Sequence, residues 1–152
     1  GRIMLTLDTV KNKVQKMLIE LNGSIKIDKD GDFVITGNSA HVFVSVYELG
    51  AGDEQRFQVK FMCPLVLNVP VTHELCLYIA TEGTNYRFGC VNMALSDDKK
   101  TCGLFFVHSI LGNDLDISEL ENAIGSVMFT SDSLDTEYQA QFGGEMFGTD
   151  KD

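Results

Sequence analysis

Asp28, Asp30 and Asp32 alternate with Lys29 and Gly31, and so dense a run of carboxylates first suggests calcium coordination. A calcium loop of the EF-hand type needs ligands at positions 1, 3 and 5, Gly at 6 and Glu at 12. Here Gly31 stands at position 4 and Ser39 at position 12, and apolar runs flank the segment where helices would be needed. The spacing predicts a solvated hairpin turn with Asp-Gly at its tip. His41, His73 and His108 have no paired metal-ligand spacing. His108, inside the apolar run Phe105–Leu111, reads as a hydrogen-bonded sheet residue and not as a base. Gly50-Ala51-Gly52 lacks the Lys-Ser/Thr and following helix of a phosphate loop, and no Gly-x-Ser-x-Gly turn occurs. Asp114, Asp116, Glu119 and Glu121 crowd together, but at a predicted helix start, where the macrodipole stabilises carboxylates. No catalytic residue, metal site or cofactor is expected.

Cys63, Cys76, Cys90 and Cys102 contain no CxxC pair, and three of them sit in apolar runs, where free Cys packs as a small hydrophobe. A chain of 152 residues buries enough surface to fold without disulfides, so reduced thiols and a cytoplasmic setting are expected. The length fits a single domain over residues 1–152. Twelve Lys+Arg against 22 Asp+Glu give a net charge of −10, which repels phosphate backbones and anionic membrane surfaces and attracts basic protein segments. Direct nucleic-acid and membrane binding are therefore not expected. Ile3–Leu7 is too short for a signal-peptide core, Met4 is a candidate native start, and no apolar run approaches a membrane span.

These residues must be positioned by regular elements, and the periodicity supplies them. Val10, Val14, Met17, Leu18 and Leu21 recur at helical intervals, with Asp8 or Thr9 as cap and Asn22-Gly23 as stop. Ser24–Asp28 and Asp32–Thr36 form a hairpin, and His41–Leu49 forms a β-branched and aromatic strand. Phe57, Val59, Phe61 and Cys63 alternate with Gln58, Lys60 and Met62, a strand with one face in and one face out. Thr72 caps a helix over His73–Glu82, and Tyr86–Leu95 with Thr101–Leu111 make a second hairpin. Ser118 and Glu121 read as a capping box opening a last helix, whose apolar stripe runs to Phe142 before Gly143-Gly144. The order α-ββββ-α-ββ-α with short links predicts an α+β fold, an antiparallel sheet with packed helices. Such a sheet leaves a face or edge free for an extended peptide.

Over residues 8–147 the chain resembles the YbjN-type bacterial sensory-transduction regulators, which share the type III secretion chaperone-like fold. The likeness rests on element order and local signatures: Leu18–Asn22 running into Ile27–Phe33, the stretch Asn85-Tyr86-Arg87-Phe88-Gly89, and the Leu111–Leu120 segment feeding a helix that ends in Phe142-Gly143-Gly144. The absence of Trp departs from the family pattern. The resemblance implies a small, acidic, non-enzymatic chaperone-like homodimer that holds an extended or partly unfolded protein segment, with a regulatory role. It also implies that the partner meets the first-helix face, Val10, Val14 and Met17, and the strand residues Phe57, Val59 and Phe61. Two alternatives stay open from the residues themselves: a small-molecule sensor domain with an apolar groove, and a cofactor-free enzyme of unfamiliar motif.

Overall fold

The computed structural model describes residues 5–148; the candidate start Met4 lies outside the described residues. Helix α1, Leu7–Asn22, is capped one turn earlier than Asp8 or Thr9 would place it. Thr6 is the cap: its hydroxyl accepts from Thr9 N–H, and its own N–H donates to Thr9 Oγ1 at 2.9 Å. Thr9 thus serves as the third helical residue of a capping box. Strand β1, Lys26–Ile27, is shorter than predicted. Ser24 and Ile25 stay in the link from α1, and Asp28 enters the turn, where its carboxylate accepts from Asp30 N–H and Asp32 N–H, both at 2.9 Å. The aspartates therefore satisfy the hairpin backbone, as a turn requires. Strands β2, Phe33–Thr36, and β3, His41–Leu49, follow.

Strand β4 runs from Arg56 to Pro70, twice the length that its clean alternation predicted. The register against β6, Thr101–Leu111, shifts between Pro64 and Val66 and again before Val69, so a bulge follows Pro64, while Pro70 closes the strand. Helix α2 spans His73–Thr81 with Thr72 as its cap, as the sequence indicates. Strand β5 begins at Cys90, four residues later than expected, because Gly89 holds a positive φ of 87°. A Cβ there would lie 2.7 Å from Val107 O, so the chain before it crosses the sheet without pairing.

Helix α3, Ile117–Phe142, is capped by Asp116 and Glu119 and not by Ser118 and Glu121. Glu119 N–H donates to Asp116 Oδ1 at 2.8 Å and Asp116 N–H to Glu119 Oε1 at 3.2 Å. Both pairs fit a capping box. The earlier one also places Leu115 and Leu120, both buried, at the two positions of a hydrophobic staple, which the later pair would give to Ile117 and Asn122. A two-residue strand, β7, Glu145–Met146, closes the described chain.

The sheet order is β1-β2-β3-β4-β6-β5, every pair antiparallel, with β7 paired to β4 off this path. Helix α3 lies across β3, β4 and β6, and α1 lies on β3 against α3, so both cover the same sheet face. The core fills the space between: Val10, Val14 and Leu18 from α1, Val42, Val44, Phe57, Val59, Phe61 and Cys63 from the sheet, and Leu120, Val127 and Tyr138 from α3. The β2–β3 turn is tied to α3 by polar contacts. Ser39 Oγ sits 2.9 Å from Asp132 Oδ1 and 2.8 Å from Asp135 Oδ2, and Ala40 N–H donates to Asp132 Oδ1 at 3.1 Å.

Burial pushes the Cys63 thiol up from 9.0 to about 11, partly offset by the neighbouring Ser131 hydroxyl. The folded chain therefore keeps a proton that the unfolded chain gives up near pH 9. Stability from this group is complete below pH 9 and falls as pH rises toward 11. Urea unfolding at pH 8 and pH 10 should show about 1 kcal/mol of loss from this group. Cys63→Val should remove that part of the slope, and an unchanged slope would contradict the assignment.

Candidate functional site

In an antiparallel pair, residues directly opposite one another share a face, so the register sorts every sheet residue. The helix-covered face carries Phe33, Val44, Phe61 and His108 in one row across β2, β3, β4 and β6. The opposite face carries Val34, Phe43, Met62, Val107 and Cys90 in the next row, continuous through β5. Pro64 and Phe105 extend it on one side. On the other lies a polar row, Ser45, Lys60 and Ser109, with Gln58 Nε2 donating to Ser109 Oγ at 2.8 Å. Neither α1 nor α3 packs over this outer face. Accordingly Val34, Phe43, Met62, Phe105 and Val107 stay partly exposed, while Val42, Val44, Phe61 and Phe106 on the inner face are buried. At the ends, Tyr47 and Leu111 are 46 % and 55 % exposed.

A partly exposed apolar row running across neighbouring strands is a continuous apolar patch against which a partner segment can bury apolar side chains. At its β5–β6 end the face continues into an open recess of about 260 Å³ lined by Leu67, Leu95, Gly103 and Phe105. Between α3 and the segment before β5, a second recess of about 180 Å³ is lined by Tyr86, Phe88 and Phe129, the last of them 80 % exposed. Both recesses are shallow and open; neither encloses a small molecule.

The six residues singled out from the sequence occupy the inner side. Val10, Val14, Phe57, Val59 and Phe61 are at most 2 % exposed, and Met17 is partly buried against the same core. The helix stripe and the strand face were chosen for apolarity, and apolarity there serves to join α1 to the sheet. In the folded chain a partner could touch the five buried side chains only if the helices lifted. The sequence also carries a signal for the outer row: Met62 falls on the polar side of the β4 alternation, where a large apolar residue has no core to fill.

The described residues bring no reactive constellation together. No three of their His, Cys, Asp or Glu side chains converge as metal ligands. His108 stacks on Phe61 at 6.3 Å and meets Phe88 edge-on at 5.8 Å, and burial lowers its pKa, which favours the neutral ring. Tyr138 is fully packed between Tyr78 and Phe142, and burial pushes its pKa up. No described helix is long and apolar enough to cross a membrane.

Residues 8–150 match the profile of the family described as T3SS (YopN, CesT) and YbjN peptide-binding chaperone 1, TY-Chap1. The chain belongs to this family. TY-Chap1 chains are described as peptide-binding chaperones, and the expected resemblance to YbjN and to type III secretion chaperones holds. Peptide binding is the function that follows for a TY-Chap1 chain, and the small-molecule alternative is not favoured. Among solved structures, a chain of the ExsC–ExsE complex aligns with a TM-score of 0.51 at 14% identity, covering 83% of this chain and 93% of that one. The Yersinia pestis type III secretion chaperone SycH, in complex with a stable fragment of YscM2, aligns with a TM-score of 0.48 at 13% identity, over 85% and 99% of the two chains. At such identity the first likeness concerns the fold alone, and it agrees with the α+β fold expected from the element order. A comparison with curated proteins returns no match.

Proposed function

We propose that this TY-Chap1 chain holds an extended or partly unfolded segment of a partner protein against the outer sheet face. The observation that carries the reading is the partly exposed row Val34, Phe43, Met62 and Val107, which runs across four hydrogen-bonded strands with no helix over it. The six inner residues, Val10, Val14, Met17, Phe57, Val59 and Phe61, then serve as the rigid support beneath it. The chain acts as one non-enzymatic domain in the cytoplasm, with its net charge of −10 favouring basic protein segments over nucleic acid. It works as a homodimer: Leu95 at the free edge of β5, 51 % exposed, offers a second copy an apolar contact, and Leu77 on α2, 55 % exposed, offers another. A regulatory role follows if the held segment is released on demand.

An array of overlapping peptides from the proteins that co-purify with the chain tests the reading. Short extended stretches with alternating apolar residues should bind, and titration of the best should saturate at one per chain. An array that is blank for every co-purifying protein would count against it. Solution mass at micromolar concentration should be twice 16.8 kDa, and a mass of 16.8 kDa would remove the homodimer.

A further inference from the structure

Part of the outer face is occupied by the chain itself. Strand β3 pairs with β4 only from Arg56 to Met62, which leaves the rest of that β4 edge free. The C-terminal segment enters this lane. It leaves α3 through Gly143 and Gly144, both at positive φ, and pairs Glu145 with Leu67 and Met146 with Val66. Gly144 passes so close that a Cβ there would lie 2.6 Å from Leu67 O and 2.8 Å from Val66 Cγ1. Asn68 Nδ2 donates to Glu145 Oε2 at 3.2 Å, and Gln139 Nε2 to Gly144 O at 3.4 Å. Phe147 then lies edge-on to His41 at 5.4 Å and to Phe43 at 6.2 Å, so it caps one member of the apolar row.

This is strand addition carried out within one chain: backbone pairing along a free edge, with an aromatic side chain set on the neighbouring strand. The strand is two residues long and is entered through two glycines at positive φ, so few backbone pairs hold it to β4 and it opens at little free-energy cost.

We propose that Glu145–Phe147 is a displaceable self-strand that holds the β4 lane until a partner segment takes its place. The self-strand also defines the partner. It is an extended segment with an apolar residue to pair with Val66, followed directly by an aromatic residue to sit on Phe43, as Met146-Phe147 do. This deepens the proposed peptide-binding reading and rests on it. Binding by a partner is then reduced by the fraction of chains whose lane is filled.

The test uses the full chain and one probe, a fluorescent synthetic peptide with the sequence of residues 141–148. Phe147→Ser removes the aromatic contact, and Gly144→Ala drives the segment off the Leu67 carbonyl. Each variant should bind the probe about tenfold more tightly than the unaltered chain. A probe with Ser in place of Met146 and Phe147 should bind none of them. Equal affinity of all three chains for the probe, or no binding to either variant, overturns the proposal. Phe147→Ser replaces a partly exposed side chain, so it carries the test if Gly144→Ala melts early. A natural partner captured equally by the unaltered chain and by Phe147→Ser would sink the self-strand and leave the peptide-binding reading intact.

Discussion

Phe61→Asp is expected to abolish folding. Phe61 is fully buried at the centre of the sheet, between Val44 on β3 and His108 on β6, beneath the helices. Removing a buried Phe side chain alone costs about 3–5 kcal/mol. A carboxylate placed there meets only the His108 imidazole, which burial holds toward the neutral form, and its desolvation adds several kcal/mol more, or forces it to take up a proton. Against a total stability of about 5–15 kcal/mol the sum is disabling. Circular dichroism should show loss of the native spectrum, whereas Phe61→Leu should remain folded with a lowered urea midpoint. A Phe61→Asp chain that unfolds cooperatively at the unaltered midpoint would contradict the assignment of this face to the core.

The opposite outcome is expected one residue along. Met62 and Val107 face each other on the outer side and are partly exposed. Met62→Lys and Val107→Lys should each leave the melting temperature nearly unchanged, since a surface substitution usually costs within about 0.5 kcal/mol. If the row is the binding surface, each charge meets the apolar side chains of the held segment. Loss of a central contact costs about 2 kcal/mol or more, roughly thirtyfold in affinity. Titration of the best-binding peptide into both variants and the unaltered chain reads this directly. The contrast between Phe61 and Met62, adjacent in sequence, separates a folding defect from a binding defect.

That contrast also shows how far the sequence carries. The order of elements was legible because helical and strand periods differ, and β4 announced its two faces through Phe57, Val59 and Phe61 against Gln58, Lys60 and Met62. Which of those faces the helices would cover was not legible, because that depends on where α1 and α3 land, a long-range matter. The second half of β4 was hidden by Pro64 and Pro70, the first beside a bulge and the second at the strand end. At α3, Asp116–Glu119 and Ser118–Glu121 offered equal capping chemistry, and burial of Leu115 and Leu120 decided between them. The pairing of β7 with β4 had no local signal beyond Gly143-Gly144, because its partner strand lies some eighty residues earlier.

Photo-crosslinking tests the central claim most directly. A photoreactive residue placed at Ser45 or Ser109 reports on the outer face, and one placed at Lys13 reports on the exposed side of α1. With the best-binding peptide present, Ser45 and Ser109 should give crosslinked product and Lys13 should give none. Product from Lys13 alone would place the held segment on the helix side and contradict the account.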